Sequence, residues 1–213
     1  MTSEHWSLIG QGVATTLWIT VAAAGISLAL GIVIAVLRLA PLGPLSWLAG
    51  SYTEFFRNIP LLTVIFFMYF GLPNSGLKLK IEPINVAIWG MGLYTAAYAA
   101  EVIRAGLGTV SKGNVEAARS LGLSYLQSMR YVQLPQALRA TIPPLGTLLT
   151  ALLKNTSLAN IISAGELLQQ AEIVYSRTFN LTSMLIAAAI YVALTLPIGA
   201  LANLAEQRWA IKR

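Results

Sequence analysis

The sequence contains no cysteine and no aspartate, and its single histidine is His5. Without cysteine, the chain can form neither a disulfide nor a thiolate metal site. Without aspartate or a second histidine, it cannot assemble a Ser-His-Asp triad or a metal cluster, and the motifs His-Glu-x-x-His and Gly-x-Ser-x-Gly are both missing. We therefore do not expect an intramembrane enzyme. There is also no Gly-x4-Gly-Lys-Ser/Thr phosphate loop, so the chain cannot bind and hydrolyse ATP by that route.

Charge is scarce as well. Charged residues make up 10% of the 213 residues and hydrophobic residues 56%, whereas soluble domains contain about 25% charged residues. This balance indicates an integral membrane protein. We attribute the net charge of +6 to Lys and Arg retained on the cytoplasmic side rather than to nucleic-acid binding. The N-terminus lacks the basic region of a signal peptide, so the first apolar run is expected to remain as a spanning helix.

Five apolar segments predict an all-α integral membrane protein with five transmembrane helices in a single domain, residues 1–213. The segments are residues 13–37, 59–72, 84–105, 142–162 and 184–205. The second is too short to span alone and must borrow residues 52–57. Pro60 then lies inside the composite helix and predicts a kink or an unwound turn. Between the last two segments, residues 163–182 predict an interfacial helix.

The basic residues predict the orientation in the membrane. With five spans, one side carries Arg38, Arg57, Arg104, Lys112, Arg119, Arg130, Arg139, Arg208, Lys212 and Arg213. The other side carries Lys78, Lys80 and Arg177. The N-terminus is therefore expected outside, and the C-terminus and the loop between the third and fourth helices, about residues 106–140, are expected in the cytoplasm.

That loop contains a polar interval, residues 116–135, in a chain that is otherwise mostly apolar. We interpret the interval as two short helices that meet at a bend, with Asn114 capping the first turn and Gly122 allowing a left-handed exit. The alternative is a simple loop that connects two membrane helices, for which only a few residues with simple turn chemistry would be expected.

Lys154 lies near the middle of the fourth segment, where a charge costs at least about 2.5 kcal/mol. Asn155, Thr156 and Ser157 follow it and can satisfy backbone groups that a local unwinding exposes, as in transporter helices that line a cavity. The alternative is a structural ion pair, and the two interpretations are compatible. The acids considered as partners are Glu54, Glu101 and Glu166.

Two further acid–base pairs have helical spacing. Glu54 and Arg57 are three residues apart, as are Glu101 and Arg104, so each pair can meet on one helix face. A pair at a helix end near the membrane surface is the favoured interpretation of both. Tyr98 shares a stripe of the third helix with Glu101, and this stripe is expected to face protein or a transport pathway rather than lipid.

Several motifs together resemble a known family. Glu116-Ala117-Ala118, Gly122 and residues 132–135 resemble the signature loop of inner-membrane permease subunits of binding-protein-dependent ABC importers, with Val132 where Ile is usual. Residues 54–62, 98–106 and 153–158 resemble the polar amino acid branch of that family.

The resemblance implies the type I permease fold and a location in the bacterial inner membrane. It also implies three kinds of partner: a second permease, identical or sister; two ATP-binding subunits; and an extracytoplasmic solute-binding protein. ATP and Mg would be bound by the partner ATPase, and no cofactor by this chain. The residues implied to contact the ATPase are Glu116, Ala117, Ala118, Gly122, Leu134 and Pro135. The candidates for the substrate pathway are Lys154, Asn155, Thr156, Ser157, Glu54, Arg57, Tyr98 and Glu101.

Two departures from the branch bear on the substrate. Val115 and Asn155 stand where the branch often has Gln and Asp, and losing the Asp removes a partner for a cationic substrate. The expected cargo is therefore an acidic or neutral amino acid such as glutamate, aspartate or glutamine, with Lys154 and Arg57 as positive groups. The alternative is a membrane scaffold or ion channel that is not coupled to an ATPase, although no selectivity filter or charged pore ring is evident.

Overall fold

The structure is a computed structural model that describes residues 1–39, 43–77 and 81–209. The described chain is helical and contains no β-strand, which confirms the all-α prediction. The helices are α1 (Ser3–Leu39), α2 (Gly43–Asn58), α3 (Leu61–Phe66), α4 (Pro83–Gly108), α5 (Lys112–Ser120), α6 (Tyr125–Ser128), α7 (Leu134–Asn155), α8 (Leu167–Thr178) and α9 (Thr182–Trp209). Wider π-helical turns follow α3 at Phe67–Gly71 and Pro73–Leu77 and join α6 to α7 at Met129–Gln133, while a tighter 3-10 helix, Thr156–Ile162, continues α7.

The predicted spans correspond to helices, with different ends. Among the described residues, α1, α4 and the segment Thr182–Arg208 of α9 are each long and apolar enough to cross a membrane. The first helix begins at Ser3, ahead of the predicted residue 13, because hydropathy marks the apolar core whereas helical backbone continues into the polar N-terminus. The count of five spans remains a prediction, since the second span is divided between α2 and α3 and the fourth between α7 and the 3-10 helix.

The break in the second span lies where the sequence places it. The α2 helix ends at Asn58, and Pro60 has extended backbone angles of φ −66° and ψ 138° before α3 begins at Leu61. Proline has no N–H to donate and disfavours helical backbone in the preceding residue. The prediction of an unwound turn at Pro60 is confirmed.

Small residues allow α1 and α4 to pack closely. A Cβ added at Gly31 of α1 would lie 2.8 Å from the Ala99 Cβ of α4, and one added at Gly92 of α4 would lie 2.8 Å from Ile26. The largest buried cluster, which includes Ile19, Ile65, Met91 and Leu152, surrounds this contact. These two helices therefore form the centre on which the other helices pack.

The predicted helix in residues 163–182 is α8, which packs against both α1 and α9. The Leu167 amide donates a hydrogen bond to Thr16 Oγ1 (3.1 Å), and the Ser183 hydroxyl donates to the Ala171 carbonyl (2.9 Å). At the same end of the molecule, Arg177 contacts Glu4 at 2.7 Å. The N-terminus and α8 thus lie together, as the predicted topology requires. Of the residues used to predict orientation, Lys78, Lys80, Lys212 and Arg213 lie outside the described residues.

Candidate functional site

The polar interval forms two short helices, as predicted, but the cap of the first one differs. Ser111 precedes α5, and its hydroxyl accepts a hydrogen bond from the Asn114 amide (3.3 Å). The prediction that Asn114 caps the helix is wrong, because the helix begins two residues earlier, at Lys112. Asn114 instead donates its side-chain amide to Gln136 Oε1 (3.1 Å), which ties α5 to the start of α7.

Gly122 forms the bend between α5 and α6. Its φ is +82°, in the left-handed region that glycine adopts without strain. The Gly122 amide donates to the Arg119 carbonyl (3.0 Å), and the Leu123 amide donates to the Ala118 carbonyl (3.2 Å). This pair of bonds is the Schellman motif, which ends a helix sharply. The predicted bend is therefore confirmed.

The signature residues differ in how exposed they are. Ala118 is buried and packs inward, whereas Glu116, Ala117, Gly122, Leu134 and Pro135 are exposed. Large side chains near them are also exposed: Leu121 at 84%, Tyr125 at 64% and Tyr131 at 63%. We call Ala117, Leu121, Gly122, Tyr125 and Tyr131 the loop surface. A group of exposed apolar side chains commonly marks a protein contact, and none of these three large side chains was predicted from the sequence.

At the C-terminal part of α4, Glu101 faces three arginines from three helices. Its carboxylate lies 2.6 Å from Arg38 of α1, 3.9 Å from Arg57 of α2, and in contact with Arg104 one turn along α4. The Glu101–Arg104 pair is thus confirmed. Arg38 was not foreseen as part of this cluster, because it is distant in sequence and no local spacing signals the contact.

The predicted Glu54–Arg57 pair is wrong. Arg57 reaches Glu101, which lies in a more enclosed setting, while Glu54 is exposed and accepts a hydrogen bond from the Asn58 side chain (3.3 Å). Tyr98 lies one turn from Glu101, half-buried, with its hydroxyl 3.0 Å from that of Tyr94. Tyr98 and Glu101 are both half-buried, and the expectation that their stripe faces protein or a transport pathway rather than lipid stays a prediction.

Lys154 lies in the last turn of α7 and is exposed. Among the described residues it forms no ion pair, so the three predicted acid partners are wrong for this structure. Glu101 is engaged by arginines and Glu54 by Asn58. A lysine in the last turn is instead favoured by the negative end of the helix dipole.

Of the residues that follow Lys154, Ser157 lines a cavity and Thr156 is buried in the core. Lys154 and Ser157 line an open cavity of about 300 Å³, together with Tyr191 of α9. Thr156 is buried and donates to the Leu153 carbonyl (2.7 Å), and Asn155 is half-buried at the end of α7. The change from α-helix to 3-10 helix at Thr156 is a tightening of the backbone rather than an opening.

Glu166, the third predicted partner of Lys154, is fully buried and caps α8. Its carboxylate accepts hydrogen bonds from the amides of Leu168 and Gln169, both 2.8 Å, and from the Tyr191 hydroxyl, 2.6 Å. Burial raises the pKa of the Glu166 carboxyl, and the three hydrogen bonds act in the opposite direction. The group serves as a structural junction of α8 and α9.

Residues 9–211 match the family described as binding-protein-dependent transport system inner membrane component. The chain belongs to this family. It is therefore a permease subunit, a multi-pass protein of the inner membrane, and the scaffold and channel alternatives lose their support.

Similar proteins agree with this assignment. The permease is 41% identical to the protein named probable glutamine ABC transporter permease protein GlnM of Bacillus subtilis, over 96% of this chain and 94% of the relative. It is 37% identical to the glutamate transport system permease protein GluC of Corynebacterium efficiens, over 99% of this chain and 100% of the relative. A crystal structure of an amino acid ABC transporter with histidines superposes with a TM-score of 0.90 at 34% identity, covering 96% of this chain and 95% of the other.

Proposed function

We propose that this permease carries polar amino acids into the cell as the transmembrane subunit of an ATP-driven importer that works by alternating access. The observation that carries the proposal is family membership over nearly the whole chain, with relatives named for glutamine and for glutamate transport. The five-span topology with the N-terminus outside and the C-terminus in the cytoplasm belongs to the same proposal.

The ATPase subunits dock on the loop surface, and ATP hydrolysis drives transport through this contact. A small exposed Ala117 permits close approach of a partner, and the Schellman turn at Gly122 fixes the angle between α5 and α6. The hydrogen bond from Asn114 to Gln136 connects α5 to α7, so movement of a docked subunit is passed to the helix that carries Lys154. The docked subunits are two ATPases that bind ATP and Mg, and a second permease and a solute-binding protein complete the importer.

For the cargo, we propose a neutral or acidic amino acid. The exposed Lys154 supplies a positive charge beside a cavity, and a charge-assisted hydrogen bond to a carboxylate is stronger than a neutral one. The names of relatives alone do not separate neutral and acidic substrates from cationic ones. The arginine transport system permease protein ArtQ of Bacillus subtilis is also similar, at 35% identity over 93% of this chain and 90% of the relative. Arginine carries an α-carboxylate too, so the preference over arginine rests on Asn155, which stands where the branch often has an Asp that could pair with a cationic side chain.

Uptake by the reconstituted importer tests the proposal. The permease, its ATPase and its binding protein are placed in liposomes with internal ATP and Mg, and uptake of labelled glutamine, glutamate, aspartate and arginine is compared. We expect glutamine or glutamate to be preferred and Lys154→Gln to reduce uptake about tenfold or more. Arg208→Gln, an exposed charge at the end of α9, is the control that should retain uptake. Preference for arginine would contradict the proposed cargo.

A further inference from the structure

Two open cavities meet at Ser157. The cavity of about 300 Å³ contains Lys154, and Ser157 also lines a second cavity of about 430 Å³ that contains Asn160 and Glu172. A strip that carries polar side chains among apolar ones thus runs along this face of the molecule, with a positive side chain at one end and a negative side chain at the other. Glu172 lies on α8 and is not among the residues predicted from the sequence to line the substrate pathway.

The backbone places the strip's residues in line. Lys154 lies in the last turn of α7, and Ser157 and Asn160 lie in the 3-10 helix that continues it. Side chains three residues apart are neighbours on the surface of an α-helix and lie above one another on a 3-10 helix, so these three side chains share one face. With a rise of about 1.5 Å per residue in the α-helix and about 2 Å in the 3-10 helix, Lys154 and Asn160 are separated by roughly 11 Å along the axis. The Ser157 hydroxyl between them donates to the Lys154 carbonyl (2.8 Å).

Glu172 is held in position but is not neutralised. Asn160 donates its side-chain amide to Glu172 Oε2 (2.7 Å). Among the described residues, neither Glu172 Oε1 nor the Lys154 ammonium has a hydrogen-bond partner, and neither side chain forms an ion pair. The one arginine of α8, Arg177, contacts Glu4 instead. The two opposite charges therefore both remain available to a ligand.

We propose that Glu172, oriented by Asn160, binds the ammonium group of a transported amino acid while Lys154 binds a carboxylate of the same molecule. The inference rests on the proposed function and names the feature of the substrate that is recognised. Two charge-assisted hydrogen bonds are about 2.8 Å each, and the charges of a zwitterion are a few ångströms apart. Both fit within the roughly 11 Å of backbone between Lys154 and Asn160, whose side chain holds Glu172. A ligand with both charges matches this strip, and one that lacks the ammonium leaves Glu172 unpaired.

Competition binding to the permease–ATPase complex, without the solute-binding protein, tests the inference. The probes are glutamate against glutarate and glutamine against glutaramate, pairs that differ only in the ammonium group. We expect wild type to bind the amino acid at least about tenfold more tightly than its analogue, since the interaction with a charged partner is worth about 1.5 kcal/mol or more. In Glu172→Gln this ratio should fall towards one, through loss of amino acid affinity and not through gain for the analogue.

The controls separate this inference from the function on which it rests. Glu206→Gln, which removes an exposed acid near the end of α9, should keep the wild-type ratio. Asn160→Ala retains the Glu172 charge but frees the side chain, and should lower the ratio by a smaller factor; it is the second variant if Glu172→Gln does not assemble. ATP-driven uptake is measured on the same wild-type preparation. Absent uptake would refute the proposed function, whereas normal uptake with an unchanged ratio in both variants, or no measurable binding by wild type, would overturn the inference.

Discussion

The Arg38 guanidinium of α1 lies 2.6 Å from the Glu101 carboxylate of α4, a contact between residues 63 positions apart. Arg57 of α2 and Arg104 of α4 face the same carboxylate. One negative charge thus holds three helices together and offsets part of the repulsion among three guanidinium groups. The contact also fixes the relative positions of the helices near the predicted cytoplasmic end.

Replacing this carboxylate should destabilise the permease. In Glu101→Gln the three arginines lose their shared partner, and we expect a loss of about 1–2 kcal/mol, limited because the side chains are partly exposed. The melting temperature of the purified permease–ATPase complex measures the effect. Glu54→Gln, which removes an exposed acid held only by Asn58, should leave the melting temperature nearly unchanged. Equal melting temperatures for the two variants would refute the role given to Glu101.

Two glycines at the end of α4 provide a matched pair. A Cβ at Gly106 would lie 2.2 Å from Thr141 Cγ2 and 3.1 Å from the Ala137 carbonyl oxygen of α7, whereas a Cβ at Gly108 meets nothing within 4 Å. Overpacking typically costs about 1–3 kcal/mol, so Gly106→Ala should lower the melting temperature. Gly108→Ala should maintain or raise it, because alanine favours the helix. A Gly106→Ala protein as stable as wild type would show that α4 and α7 are packed less closely than described.

Tyr191 should stabilise the buried Glu166. Tyr191→Phe removes the hydroxyl that donates to the carboxylate at 2.6 Å and leaves a buried acceptor with two amide donors, at a cost of about 1–2 kcal/mol. Tyr175→Phe on α8 is the control, since the Tyr175 hydroxyl forms no hydrogen bond within the described ranges. Thermal unfolding of both variants gives the comparison, and a larger loss in Tyr175→Phe would count against the Glu166 junction.

The loop surface should be required for ATPase binding. Ala117→Arg adds bulk and charge where a partner approaches, and because Ala117 is exposed the permease itself should still fold. We expect the ATPase to be lost on copurification and ATP-driven uptake to disappear. Gln207→Arg introduces the same side chain at an exposed position of α9 and should leave both unchanged. Full ATPase recovery with Ala117→Arg would place the docking contact elsewhere.

The features predicted correctly from sequence depend on the backbone chemistry of single residues. Pro60 lacks the N–H that a continuous helix needs, and Gly122 supplies a left-handed turn, so both positions were identified. Proline alone does not decide a break, because Pro143 and Pro144 lie inside α7 and Pro197 lies inside α9. Contacts between distant segments left no local signal, and therefore Arg38 at Glu101 and Glu172 at Asn160 emerged only from the fold. The Glu54–Arg57 prediction failed for the same reason. Helical spacing permits the pair, but Arg57 faces Glu101 of α4 instead, and this contact cannot be inferred from spacing within α2.

The most direct test of the account is amino acid uptake by liposomes that contain the permease with its ATPase and binding protein, measured together with ATP hydrolysis. If the proposed function is right, labelled glutamine or glutamate accumulates only when ATP and Mg, the ATPase and the binding protein are all present, and Ala117→Arg abolishes accumulation. Accumulation that proceeds without ATP, or that persists in Ala117→Arg at the wild-type rate, would contradict it.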